Sequence, residues 1–178
     1  MLHFKSIFIF SLLAVVYTKK ISNTIYLIRH GEKVDDDTPG LSARGEQRAQ
    51  CLPSVFGPSS SFNLGYILAE KPKASGARIR PLLTVTPLAA KLGLTVDTRC
   101  DRDDPDCVAA AVNVFAKKDN TKNILICWEH DTLTDIEDSL GVSEIVNYPS
   151  SRFDLIFTIQ HEKLVSTNQS ENCTGLHN

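Results

Sequence analysis

Two histidines stand where side chains most often do chemistry, at the ends of apolar runs, one of them directly after an arginine. The segment Thr24-Ile-Tyr-Leu-Ile-Arg29-His30-Gly31-Glu32 carries a buried-type strand straight into a charged loop, and strand ends are where open α/β sheets place their sites. Average residue usage would put an Arg-His-Gly tripeptide in about one chain in a hundred of this length. A second run, Asn123-Ile-Leu-Ile-Cys-Trp128, leads in the same way into Glu129-His130-Asp131. If these strands are neighbours, their imidazoles meet in one crevice from distant parts of the chain, as a nucleophile and an electrostatic partner must. Glu-His-Asp carries this meaning only in combination, because acids at helix starts often serve as caps. Between the two lies Ala77-Arg78-Ile-Arg80-Pro81-Leu-Leu-Thr84, a helix start whose guanidinium forks suit bidentate binding of phosphate.

Positioning these groups requires a sheet, and the pattern supplies one. From Asn23 onward apolar runs alternate with amphipathic stretches, which implies an α/β fold with a mostly parallel sheet. Strands are expected at 24–29, 66–69, 95–98, 123–128 and 154–159, three of them near-continuous apolar runs as strands buried on both faces are. Ser42 suits the N-cap of a helix through Leu52, and Pro81 the first turn of a helix ending near Gly93. Asp104-Pro105 opens a third helix to about Lys118, and a fourth runs from about Thr132 to Leu140, stopped by Gly141. After His161 the periodicity fades, so 162–178 is expected to be an irregular tail.

The 178 residues carry 19 Lys+Arg against 21 Asp+Glu, a formal charge of −2. This balance gives no footprint for nucleic acid. At 42% hydrophobic and 22% charged, the chain is an ordinary globular one, sized for a single core. Ser6 to Thr18 is apolar behind a weakly basic start, so 1–19 reads as a secretory signal peptide, with a buried N-terminal strand as the alternative. It is too short for a membrane span, and no stable membrane insertion is expected once it is removed. The sequons at Asn168 and Asn172 favour secretion over a cytoplasmic location. Five cysteines include no Cys-x-x-Cys and no histidine at zinc spacing, so no metal site is expected. Cys100 and Cys107 bracket an acidic loop; an oxidising compartment would bridge them, and two unrelated thiols are the alternative.

Taken together, Arg29-His30-Gly31-Glu32, the Leu41-Ser-x-x-Gly45-x-x-x-Ala49 helix, Arg80-x-x-x-Thr84 followed by Pro87-Leu-Ala89, and the strand-borne His130 resemble the histidine phosphatase superfamily, the phosphoglycerate mutase-like proteins. The likeness spans about Thr24 to Ile159 and is nearest to the small fungal secreted-type members. It implies a three-layer sandwich, a mostly parallel central sheet with helices on both faces, over 20–161. It further implies that His30 becomes a phosphohistidine and that Arg29, Arg80 and His130 hold the phosphoryl oxygens. Arg80 is chosen over Arg78 because it stands four residues before a threonine; Arg78 reads as a solvated helix-terminus residue. Two guanidiniums and an imidazolium suit the charge that a transferring phosphoryl group spreads over three oxygens.

Mutase-type members carry their proton-donating glutamate in an insertion for which this chain has little room. Asp131 resembles the His-Asp element of the acid phosphatase branch and is the expected general acid. Glu129 is the second candidate, expected to face away from the crevice if His130 faces it, because neighbours on a strand alternate. Glu32 is the third, read as an orienting carboxylate. The expected activity is phosphomonoester hydrolysis of a small phosphorylated substrate without a cofactor. A phosphoglycerate-type mutase and a catalytically silent exported phosphate-binding protein are the alternatives.

Overall fold

The computed structural model describes residues 20–176; the signal expected at 1–19 lies outside them. Six strands form one sheet in the order β3-β2-β4-β1-β5-β6. They are β1 (Ile25–Arg29), β2 (Leu64–Ala69), β3 (Val96–Asp97), β4 (Asn123–Trp128), β5 (Leu155–Gln160) and β6 (Lys163–Ser170). β3, β2, β4 and β1 run parallel, β5 pairs antiparallel with β1, and β6 pairs antiparallel with β5.

Why the central strands are apolar throughout is visible in their alternation. Leu27, Ile126 and Trp128 enter one core with Val108, Val112, Leu133 and Ile136, which come from α3 (Pro105–Lys118) and α4 (His130–Ser139). Ile28, Leu125 and Cys127 enter the other with Leu52, Phe56, Val85 and Leu88, from α1 (Ala43–Phe56) and α2 (Arg80–Leu92). Both faces of the sheet are thus covered, giving three layers. Each such side chain contributes about 1.5–3 kcal/mol by burial.

The helix starts follow local chemistry. Ser42 caps α1 by accepting the Gly45 N–H at 3.1 Å. Asp104 caps α3 from Cys107 N at 3.0 Å with Pro105 in the first turn. Gly93 closes α2 at φ +66°, a left-handed conformation that glycine takes without strain.

The tail departs from expectation. Residues 163–170 form β6, an edge strand entered through His161 and Glu162, both at positive φ, as a tight hairpin requires. Its weak signal has a physical cause: an edge strand buries little, and its residues are mostly exposed or half-buried. A Cys51–Cys173 disulfide then ties the tail to α1, and Leu176 is buried, so the folded unit extends past 161. Cys100 and Cys107 are bridged, and Cys127 is a buried free thiol. Asn168 and Asn172 are both exposed. No helix among the described residues is long and apolar enough to cross a membrane.

Candidate active site

β1 and β4 are parallel neighbours with Arg29 level with Trp128, so the residues that follow, His30 and Glu129, leave the sheet at the same edge. β2 flanks β4 on its other side with Ala69 level with Cys127, which adds Glu70. These three groups line a cavity of about 180 Å³ together with Arg78, Arg80, Arg102 and the loop segment 36–40.

His30 is 4% exposed and its backbone N–H donates to the Trp128 carbonyl at 3.1 Å, a last rung of the β1–β4 ladder. Its Nδ1 lies 2.7 Å from the Gly31 carbonyl. A carbonyl only accepts, so Nδ1 carries the hydrogen and the neutral ring keeps its lone pair on Nε2. Burial, helped by the positive charges of Arg29 and Arg80, lowers the His30 pKa to about 4. The ring is therefore neutral and nucleophilic across most of the pH range. Gly31 is required by a close approach: a Cβ there would sit 2.9 Å from the Gly45 carbonyl oxygen, and one on Gly45 would sit 2.3 Å from that of Glu32.

Arg29 is 3% exposed and stacks 3.7 Å over the Phe153 ring. Its Nη1 donates to the carbonyls of Ser150 (2.6 Å) and Arg152 (3.0 Å), while its Nε is buried without a hydrogen-bond partner. It lies beside the cavity and outside its lining. Arg80 does line it, and donates to the carbonyls of Gly40 (3.0 Å), Asp35 (2.8 Å) and Thr38 (2.7 Å). One guanidinium thus shapes the whole 35–40 loop. Arg78 is no solvated terminus: it lines the cavity at φ +62°, 3.8 Å from the Glu70 carboxylate and 3.4 Å from that of Asp103.

The second histidine reverses the expected geometry. Glu129 lines the cavity, whereas His130 is the first residue of α4, its ring held between Glu129 and Asp131, the latter at 3.1 Å. The cause is local: the strand ends at Trp128, and Glu129 is a helix N-cap whose carboxylate accepts the His130 N–H at 2.9 Å. Strand alternation no longer applies there. Asp131 is 76% exposed at its side chain and lies outside the cavity lining. Donor atoms of Glu129, His130 and Asp131 lie within 4.8 Å of one another, a set of metal-type ligands that already satisfy each other. Glu32 is bound by Arg44 (2.9 Å) and Arg48 (2.6 Å), and these bonds outweigh burial to hold its carboxyl below the usual range.

Glu70 and Arg102 escaped the sequence reading. Glu70 follows the logic that singled out His30, since it ends the apolar run Tyr-Ile-Leu-Ala at the carboxyl end of a buried strand. Arg102 sits inside the Cys100–Cys107 loop, which brings it over the cavity.

No family model matches the chain. The lipopolysaccharide core heptose(II)-phosphate phosphatases of Salmonella typhimurium and Salmonella enteritidis are each 28% identical over 118 residues, 62% of this chain. The chain spans about half the length of these curated relatives, 54%. They are bacterial, whereas the sequence resemblance was nearest to fungal members. Among solved structures, the protein histidine phosphatase SixA complexed with tungstate superposes with a TM-score of 0.59 at 12% identity, covering 83% of this chain and 97% of that one. A phosphoserine phosphatase mutant from Entamoeba histolytica in complex with phosphoserine gives 0.53 at 13%, covering 87% and 100%. Phosphoglycerate mutase from Bacillus anthracis gives 0.51 at 12%, covering 86% and 96%. With its mixed six-stranded sheet between two helical layers, this chain has an α/β fold of the phosphoglycerate mutase-like kind.

Proposed function

We propose that the chain is a phosphomonoester hydrolase working through a phosphohistidine on His30. The observation that carries this reading is the buried ring whose Nδ1 is tied to the Gly31 carbonyl, which leaves Nε2 as a free lone pair in a cavity ringed by guanidiniums. Nε2 attacks phosphorus, the bond to the ester oxygen breaks, and that oxygen takes a proton from a carboxyl group of the cavity. Water then attacks phosphorus and gives a proton to that carboxylate, the P–N bond breaks, its electron pair returns to Nε2, and phosphate leaves. Arg80 binds the phosphoryl oxygens from within the cavity, and Arg29, beside it, adds positive charge. Glu129 reaches the cavity from the end of β4 with its carboxylate paired to His130, and Arg102 adds a further guanidinium to the lining.

The lining also bears on substrate class. Guanidiniums that hold phosphate stand beside the acceptor-rich loop residues Asp36 and Asp37, a combination suited to a phosphate ester of a hydroxyl-rich alcohol such as a sugar. The curated relatives, named for a heptose phosphate, support this choice. Export is supported by two disulfides and by exposed asparagines in both sequons.

Release of phosphate from 4-nitrophenyl phosphate in the presence of a chelator, followed by a panel of sugar phosphates, tests the proposal. Turnover that vanishes in His30→Ala is expected. Binding of phosphate without turnover of any ester contradicts hydrolysis and leaves a silent phosphate-binding protein.

A further inference from the structure

The carboxyl that protonates the leaving group can be identified by what each acid of the cavity already does. Glu129 accepts from both the ring and the backbone of His130, and these contacts hold its carboxyl below the usual range against the effect of burial. It is committed as an anion. Asp131 is exposed outside the lining; Asp36, 84% exposed at its side chain, is paired with Lys33, and Asp37 is exposed on the same loop. Glu32 is engaged by Arg44 and Arg48. Glu70 is different. Its side chain is 2% exposed, it lines the cavity, and its nearest cation, Arg78, stays at 3.8 Å.

Placement agrees with chemistry. Glu70 and His30 leave the sheet from strands on either side of β4, so their Cα atoms stand about 10 Å apart at a strand spacing of about 4.8 Å. Two side chains converging across that gap leave space for one phosphoryl group between them. In-line displacement requires this arrangement, with the nucleophile on one side of phosphorus and the leaving oxygen on the other. Resting on the reading of His30 as nucleophile, we propose that Glu70 is the general acid that donates its carboxyl proton to the leaving oxygen and then takes a proton from the attacking water. The groups facing it are Arg78, Arg102 and Glu129, and burial, helped by the Glu129 charge, prevails over the two arginines and the Glu129 backbone N–H to push its carboxyl up to about 7. A bound phosphate dianion adds further negative charge beside it and favours the proton-bearing form again.

The test compares kcat/KM for 4-nitrophenyl phosphate, whose leaving group needs no proton, with glycerol 2-phosphate, whose alkoxide does. In Glu70→Gln the glycerol ester is expected to lose about 10²–10⁴-fold and the nitrophenyl ester less than about tenfold. Equal losses on both would make Glu70 a structural residue and overturn the proposal, as would undiminished hydrolysis of the glycerol ester. Loss of the glycerol ester alone in Glu129→Gln or Asp131→Asn, with Glu70→Gln active, would move the role to that residue. Should Glu70→Gln fail to fold, the wild-type enzyme decides: a shallow dependence of kcat/KM on leaving-group basicity supports an acid catalyst, and a steep one excludes it. If the wild type hydrolyses neither ester, the phosphatase reading itself fails, a result distinct from every pattern above.

Discussion

Thr84 accepts the backbone N–H of Gly31 through its hydroxyl oxygen at 2.8 Å and donates its own hydrogen to the Arg80 carbonyl, also at 2.8 Å. One buried hydroxyl therefore fixes the loop that carries His30 to the helical turn that carries Arg80. This gives the four-residue spacing between Arg80 and Thr84 a physical meaning. Thr84→Val keeps the shape and leaves the Gly31 N–H unpaired, so a loss of about 1–3 kcal/mol in stability is expected. Denaturant melts measure it, and kcat/KM should fall with it because His30 and Arg80 lose their common anchor.

Much of this is legible in the sequence alone. Buried strands announced themselves by apolar runs, caps by Ser42 and Asp104, and the site by charged residues directly after strands. β6 was illegible because an edge strand buries too little to leave a pattern. The orientation at Glu129 and His130 was illegible for a different reason: it turns on whether the residue after Trp128 belongs to a strand or caps a helix, a choice made by α4 packing against α3. Glu70 carried a readable signal, a strand-end acid, but only the sheet order sets it across β4 from His30.

Arg80→Ala should remove both a phosphate contact and the anchor of the 35–40 loop. A charge-assisted bond is worth about 1.5–3 kcal/mol, so kcat/KM is expected to fall at least tenfold for every ester. A loss no larger than that of Lys91→Ala, on the last turn of the same helix, would show that Arg80 does not meet the substrate.

pH dependence follows from two shifts of opposite effect. Burial lowers His30 to about 4, so it becomes nucleophilic above that pH, and burial raises Glu70 to about 7, so it keeps its proton below that pH. A bell between the two is expected for kcat/KM on alkyl phosphates, its limbs belonging to the coupled site. Arg78 pulls the Glu70 value down; Arg78→Ala should therefore move the alkaline limb to higher pH and leave the acid limb in place. A limb that moves downward contradicts the pairing.

The two disulfides should differ in weight. Cys51–Cys173 closes a separation of 122 residues and Cys100–Cys107 one of 7, for which chain entropy gives about 5 and about 2.5 kcal/mol. Thermal melts of Cys51→Ser/Cys173→Ser and Cys100→Ser/Cys107→Ser, each against the wild type, measure the order. The second pair should instead cost more in activity, since its loop holds Arg102 over the cavity.

The phosphoenzyme itself is the most direct test of the central claim. Rapid acid-free quenching during turnover, followed by digestion and mass spectrometry, should find a phosphoryl group on the peptide containing His30, stable to base and lost in acid. The same peptide from His30→Ala should carry none. Turnover at full rate with no phosphohistidine in the burst, or undiminished hydrolysis by His30→Ala, would contradict the mechanism.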